Sequence, residues 1–303
     1  MSTTDPPAAT VPGTTRHPWG EPASQPIVNG RPQVDVQRDA HQGTTVSLVI
    51  PARNEAANIT WVLQQIPPLV TEIILVDGNS TDVTVAMARC SRPDIRVVTQ
   101  EGTGKGDALR TGFLAATGDV IVMMDADGSM APQEIAHYLH FLTNGYDFVK
   151  GSRFVGGGGS LDITRMRKLG NRVLLGLFNS FYDAQLTDLC YGFCAFRRQY
   201  LNDLNLTATG FEIEAEMTVR AMRSGLRIAE VPSLEMPRRA GQSNLRAIRD
   251  GARVLRTVMH DHRSGVSGLI TQSLLRRLGT RSGSALHQGA PTRNRPETAA
   301  QST

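Results

Sequence analysis

A chain of 303 residues with 40% hydrophobic and 20% charged residues reads as a water-soluble globular protein, with room for one large domain or two small ones. No apolar run reaches the roughly 18–20 residues of a membrane span, and residues 1–7 have neither the basic start nor the apolar core of a secretion signal, so a cytoplasmic protein is expected, with Cys90, Cys190 and Cys194 as reduced thiols. The formal charge of +4 is uneven: residues 245–281 hold eight Arg and two Asp, a local +6, which makes basicity a property of one segment rather than of the fold.

Residues 1–44, rich in Pro, Thr, Gln and Gly and without periodicity, read as a disordered arm. Order is expected from Val46 to Ile50, an apolar strand stopped by Pro51, followed by a helix from Asn54-Glu55 to Ile66 that Pro67-Pro68 ends. A second strand spans Glu72–Val76, and Ser80 is placed to cap a helix through Cys90. A third strand, Ile95–Val98, leads into Gly102-Thr-Gly104-Lys105-Gly106 and a helix to Ala116. The next strand, Val120–Met124, ends in Asp125-Ala126-Asp127-Gly128-Ser129; a helix over Pro132–Leu142 and a strand over Asp147–Lys150 follow.

This alternation implies βαβ units, hence an α/β protein with a mostly parallel sheet and helices on both faces. Every strand ends in polar or glycine-rich residues, which such a sheet gathers at one edge, where open α/β sheets bind ligands. Asp125 and Asp127 repel each other there unless a cation lies between them, so a divalent metal is the natural partner. Two nucleotide motifs fail: Gly106 follows Lys105 where a P-loop needs Ser or Thr, and Asp107 stands where a dinucleotide fingerprint needs its last glycine.

The second half is less regular. Gly156–Gly159 reads as a mobile lid or a long connector. Arg165–Phe181 is an amphipathic helix, Tyr191–Phe196 a strand, Phe211–Ser224 a helix and Leu226–Val231 a strand. A last helix, 245–262, carries Arg246, Arg249, Arg253 and Arg256 on one face beside an apolar stripe of Leu245, Ile248, Ala252, Leu255 and Met259. Such a helix suits peripheral contact with an anionic membrane, or packing on the domain with its arginines in water. No aromatics interleave with the arginines, so nucleic acid is not expected. Cys190 and Cys194 lack a second ligand pair for zinc, and residues 263–303 read as a largely disordered tail.

Ile50-Pro-Ala-Arg-Asn-Glu55, Leu75 to Asp82, Gly104-Lys-Gly106 and Asp125-Ala-Asp127, in this order, resemble glycosyltransferase family 2, the inverting enzymes of the GT-A fold, over roughly residues 46–262. Gly151-Ser-Arg-Phe154, Asp188 to Phe193 and Arg238 to Leu245 are similar to the polyprenyl-phosphate branch, the dolichyl-phosphate mannose synthase-like enzymes. The resemblance implies a nucleotide-sugar donor (GDP- or UDP-), with Asp77 taking the base and Pro51, Ala52, Arg53 and Glu55 walling the nucleoside. Lys105 would reach a phosphate. Asp125 and Asp127, flanking Ala126, would hold Mg²⁺ or Mn²⁺ against the diphosphate. Ser129 departs from the glutamine often found there, which leaves the metal shell open.

For a lipid-phosphate acceptor, already anionic, the resemblance offers Arg153, Arg238, Arg239 and Ser243. A hydroxyl acceptor needs a base; Glu214 and Asp188 are the candidates, and the strict Glu-Asp pair of hydroxyl-acceptor relatives is missing from Glu212-Ile-Glu214. The expected activity is therefore hexose transfer to polyprenyl phosphate at the inner membrane face. The alternatives are a soluble hydroxyl acceptor, a non-catalytic nucleotide-sugar-binding module, or a nucleotidyltransferase sharing the α/β start.

Overall fold

The computed structural model describes residues 43–242, 245–246 and 248–261. The expected terminal arm and tail, and Ser243, lie outside them, save for residues 43–44 of the arm.

Strand β1 (Val46–Ala52) is buried on both faces from Val46 to Ile50, which is why it reads as a continuous apolar run rather than an alternating one. Leu48 and Ile50 join the core on one side of the sheet, and Val49 joins the core on the other. Around it the chain follows the order expected: α1 (Ala56–Gln64), β2 (Glu72–Asp77), α2 (Thr84–Ser91), β3 (Arg96–Thr99), α3 (Lys105–Ala115), β4 (Val120–Met123), α4 (Ile135–Thr143) and β5 (Phe148–Ser152). Then come β6 (Gly159–Ser160), α5 (Arg165–Tyr182), β7 (Cys194–Arg197), α6 (Leu201–Leu204), α7 (Ile213–Arg223), β8 (Ile228–Pro232), β9 (Leu234–Glu235) and α8, residues 248–261.

The main sheet runs β3-β2-β1-β4-β7-β5-β8 and is parallel except where β7 inserts between β4 and β5. In register, Ala52, Asp77 and Thr99 form one row at the carboxyl edge. Val49 pairs with Met123, so continuing that ladder brings Asp125 level with Pro51. The motifs spread over residues 51–127 thus meet at one edge.

Three local expectations change. Ser80 does not cap α2: its Oγ accepts from the Asn54 amide, and Asp82 Oδ1 accepts from the Thr84 amide at 2.9 Å instead. The glycine run ends in strand β6, whose Gly159-Ser160 pairs with Leu234-Glu235. In α8 the inward face is Asp250, Val254, Val258 and Asp261, whereas Ile248 of the expected apolar stripe is 85% exposed and Met259 is also exposed.

Candidate active site

The Gly-Lys-Gly turn exists because nothing larger fits it. Gly104 has φ +96°, and a Cβ there would sit 2.3 Å from the Thr209 carbonyl; at Gly106 it would sit 2.5 Å from that of Ala208. The turn packs on residues 208–209 and sends Lys105 into the sheet edge. Its ammonium, on a side chain only 10% exposed, reaches Asp125 Oδ1 at 2.7 Å and Glu214 Oε1 at 2.8 Å, with the Phe211 ring 5.7 Å away. Its pKa is raised: burial opposes the charge, but Asp125 and Glu214 more than offset burial. Gly192 faces this cluster, and a Cβ on it would lie 2.7 Å from Lys105 Nζ.

Asp127 is held by its own turn, accepting from Ser129 Oγ at 2.7 Å, and by Arg238 Nη1 at 3.4 Å. Arg238 also pairs with Glu55 and donates to the Ala240 carbonyl. Backbone bonds from Met236 to Ser129 and from Arg239 to Asp127 strap residues 236–239 across the aspartate turn. Withdrawal from water, with the charges of Asp127 and Glu214, pushes the Asp125 carboxyl up to about 6 against the pull of Lys105. Carboxylates so incompletely neutralised, with the Ser129 hydroxyl beside them, form an oxygen donor set that suits a hard divalent ion. No group of three or more His, Cys, Asp or Glu converges among the described residues, so such an ion would complete its shell from a phosphate and water.

These groups line a cavity of about 750 Å³. Pro51, Ala52, Arg53, Glu55, Ala126 and Arg238 wall it beside Asp125 and Asp127. Asp77 stands one residue behind the wall: it receives the Ser80 amide at 3.2 Å, while Gly78 and Asn79 face the cavity. Arg239 is turned away, its guanidinium 4.3 Å above the Trp61 ring.

Arg153 borders the cavity but is buried and fully engaged. It binds Asp188 at 2.7 and 3.0 Å, Glu235 at 3.2 Å and the Cys190 carbonyl at 2.9 Å, beneath the Tyr191 ring. Asp188 is wholly inaccessible. Burial would raise its pKa, but hydrogen bonds and charge from Arg153 hold it below the usual carboxylate range. The pair therefore acts as an internal ion pair in this arrangement, neither a free phosphate ligand nor a base open to an acceptor.

Sequence reasoning missed Gln100, Arg167, Asn171, Tyr191, Phe211 and Glu235, all on the cavity wall. Tyr191 lies within the Asp188 to Phe193 motif and Phe211 stands beside Glu212; the others sit at a strand end or on a helix face whose direction the sequence does not encode.

The model of glycosyl transferase family 2 matches residues 47–204. Glycosyltransferase AglJ of Haloferax volcanii is 34% identical over 68% of this chain and 68% of its own. The dolichyl-phosphate hexose transferase of the same organism is 31% identical over 71% of this chain and 92% of its own. Glucosyl-3-phosphoglycerate synthase from Mycobacterium tuberculosis, solved with Mn²⁺, UDP-glucose and phosphoglyceric acid, superposes with a TM-score of 0.61 at 30% identity, covering 77% of this chain and 85% of that one. The chain belongs to glycosyl transferase family 2, and its fold is the GT-A fold.

Proposed function

We propose that this family 2 glycosyltransferase moves a hexose from a GDP- or UDP-linked sugar to a polyprenyl phosphate, with inversion and with Mg²⁺ or Mn²⁺. The observation that carries this reading is the mixed lining of the cavity. Lys105, Asp125, Asp127 and Glu214 line it from the sheet edge and α7, while Met166, Leu169, Leu174, Leu245, Ile248 and Val254, from α5, α8 and the segment before α8, add apolar surface interspersed with Asp162, Arg167, Asn171 and Asp250. An acceptor with an anionic head and a hydrocarbon tail finds both complements there. The likeness to a dolichyl-phosphate hexose transferase supports the same acceptor class.

In this reading Pro51, Ala52, Arg53 and Glu55, with Asp77 behind Gly78, wall the nucleoside. Asp125 and Asp127, on either side of Ala126, hold the metal ion, which supplies positive charge to a departing diphosphate. Lys105 adds a second positive charge, and Glu214 fixes its position. A phosphate acceptor is already ionised and needs no base. Arg238, once released from Glu55 and Asp127, and Ser243 meet its charge. Arg153 and Asp188 position the cavity wall, and Arg239 anchors the strap on Trp61. No helix among the described residues is long and apolar enough to cross a membrane. A cytoplasmic enzyme would meet its lipid at the inner membrane face, where the exposed Arg246, Arg249 and Arg256 favour anionic headgroups.

The test is transfer of labelled hexose from GDP-mannose or UDP-glucose, with Mn²⁺, to polyprenyl phosphate in detergent. Label should enter the organic phase and be lost with Asp127→Asn. Label on phosphoglyceric acid, with none on lipid, would favour a soluble acceptor, the reading that the likeness to glucosyl-3-phosphoglycerate synthase recommends.

A further inference from the structure

Helix α5 buries only Asn171 and Phe178, which lie seven residues apart on one face, with Leu174 and Leu175 half-buried beside them. Position 171 is thus a seam position, where packing favours an apolar side chain. Asn171 is 5% exposed, and both its amide oxygen and its amide nitrogen are buried without a hydrogen-bond partner. Among the described residues no other buried side-chain amide leaves both atoms unpaired. Buried amides are otherwise almost always satisfied, because an unmade bond forfeits the full cost of desolvation. Asn171 also lines the cavity, with Arg167 and Leu174 of α5 and Asp250, Gly251 and Val254 of α8, its amide atoms closed off from solvent.

The geometry points to Asn171 as the residue that reads the head group of the acceptor. This rests on the acceptor reading above and narrows it. An amide offers N–H donors and a carbonyl acceptor side by side. Its complement is a group that both gives and takes a hydrogen bond: a singly protonated phosphate, or a hydroxyl, where the head meets its hydrocarbon tail. A fully ionised phosphate would satisfy the nitrogen alone and leave the oxygen orphaned. The apolar neighbours exclude water once the tail is seated, so the bonds form where they count most. The donor end is walled by other residues and does not depend on Asn171.

The experiment measures binding of farnesyl phosphate and of farnesol, and separately of UDP with Mn²⁺, to the full-length protein and to Asn171→Leu. The leucine variant should melt at or above the wild-type temperature, because an unpaired amide gives way to an apolar side chain. It should keep its Mn²⁺–UDP affinity and lose about ten- to a hundredfold in farnesyl phosphate affinity. If leucine does not fit, Asn171→Ala gives the same comparison. Equal farnesyl phosphate affinity in wild type and variant overturns the assignment while leaving the acceptor reading intact. Wild-type protein that binds neither probe overturns both. Farnesol bound in preference, and lost in the variant, keeps Asn171 as the reader and replaces the phosphate acceptor by a hydroxyl.

Discussion

Lys105 and Asp125 carry the charge balance of the site, and their balance can be titrated. The free carboxyl ionises near 3.8, whereas Asp125 does so at about 6, because burial and its acidic neighbours outweigh Lys105. A folded-state pKa above the unfolded one favours the fold at low pH, and that advantage is lost as pH rises from about 4 through about 6. Asp125→Asn removes that ionisation and also one partner of buried Lys105, so the reading is the pH dependence: without metal, the melting temperature of the variant relative to wild type should rise between pH 4 and pH 7. A divalent ion needs the ionised form. Mn²⁺-assisted UDP binding, followed by calorimetry, should be fully developed above about pH 6 and fall roughly tenfold per pH unit below it, following the ionised fraction. A flat profile between pH 5 and 7.5 would mean that Asp125 stays ionised throughout. Burial likewise pushes the Cys190 thiol up to about 12, with Glu214 and Asp188 adding to it. Iodoacetamide at pH 8 should therefore mark the exposed Cys90 well before Cys190, as peptide mass spectrometry would reveal.

At the level of elements, Arg153 ties β5 to the segment before β7 and to β9 through Asp188 and Glu235. Asp188→Asn leaves that guanidinium partly uncompensated, and urea unfolding should register a loss of about 3–5 kcal/mol. The Asp188 contribution is held above about pH 3.8 and lost as pH falls further, since its folded pKa lies below the ordinary value. This network also marks where the sequence stopped being readable. Strands β1, β2 and β4 were legible because strands covered on both faces are long apolar runs that end in polar loops. The turn glycines and the aspartate pair were legible because few residues serve there. Helix α8 misled because two of its inward positions are aspartates. Asp261 pairs with Arg220 and Arg223, and Asp250 accepts from the Arg246 amide, so the buried face reads as polar and the outer one as apolar. Hydrophobic periodicity records burial only where burial is apolar. Arg153 misled for the same reason: a motif gives its position in the chain but not the carboxylates folded around it.

Across the whole molecule, the cavity draws its two ends from different parts of the chain, and these parts are fastened differently. The part of the cavity at the sheet edge, where the proposed donor would bind, rests on β1 to β4, locked in a parallel ladder. The other end depends on how α8 sits against α5 and α7, and that fit is made by a small separate cluster of Phe178, Leu189, Ala215, Val219, Val254 and Val258. Tyr182 Oη adds a bond of 3.0 Å to the Val258 carbonyl. Val258 is fully buried yet is not part of the cavity wall. Truncating it to alanine should cost about 1–3 kcal/mol of stability through lost contacts and the void left behind. A void under α8 lets its amino-terminal half, with Ile248 and Val254, shift relative to Leu169 and Leu174. Farnesyl phosphate binding to Val258→Ala should therefore weaken several-fold while Mn²⁺–UDP binding stays within twofold of wild type, since the sheet edge does not move with α8. Both measured together in the same protein separate the ends of the cavity. Parallel weakening of both ligands would instead mean that the cluster stabilises one indivisible site, and that the donor and acceptor ends cannot be tuned apart.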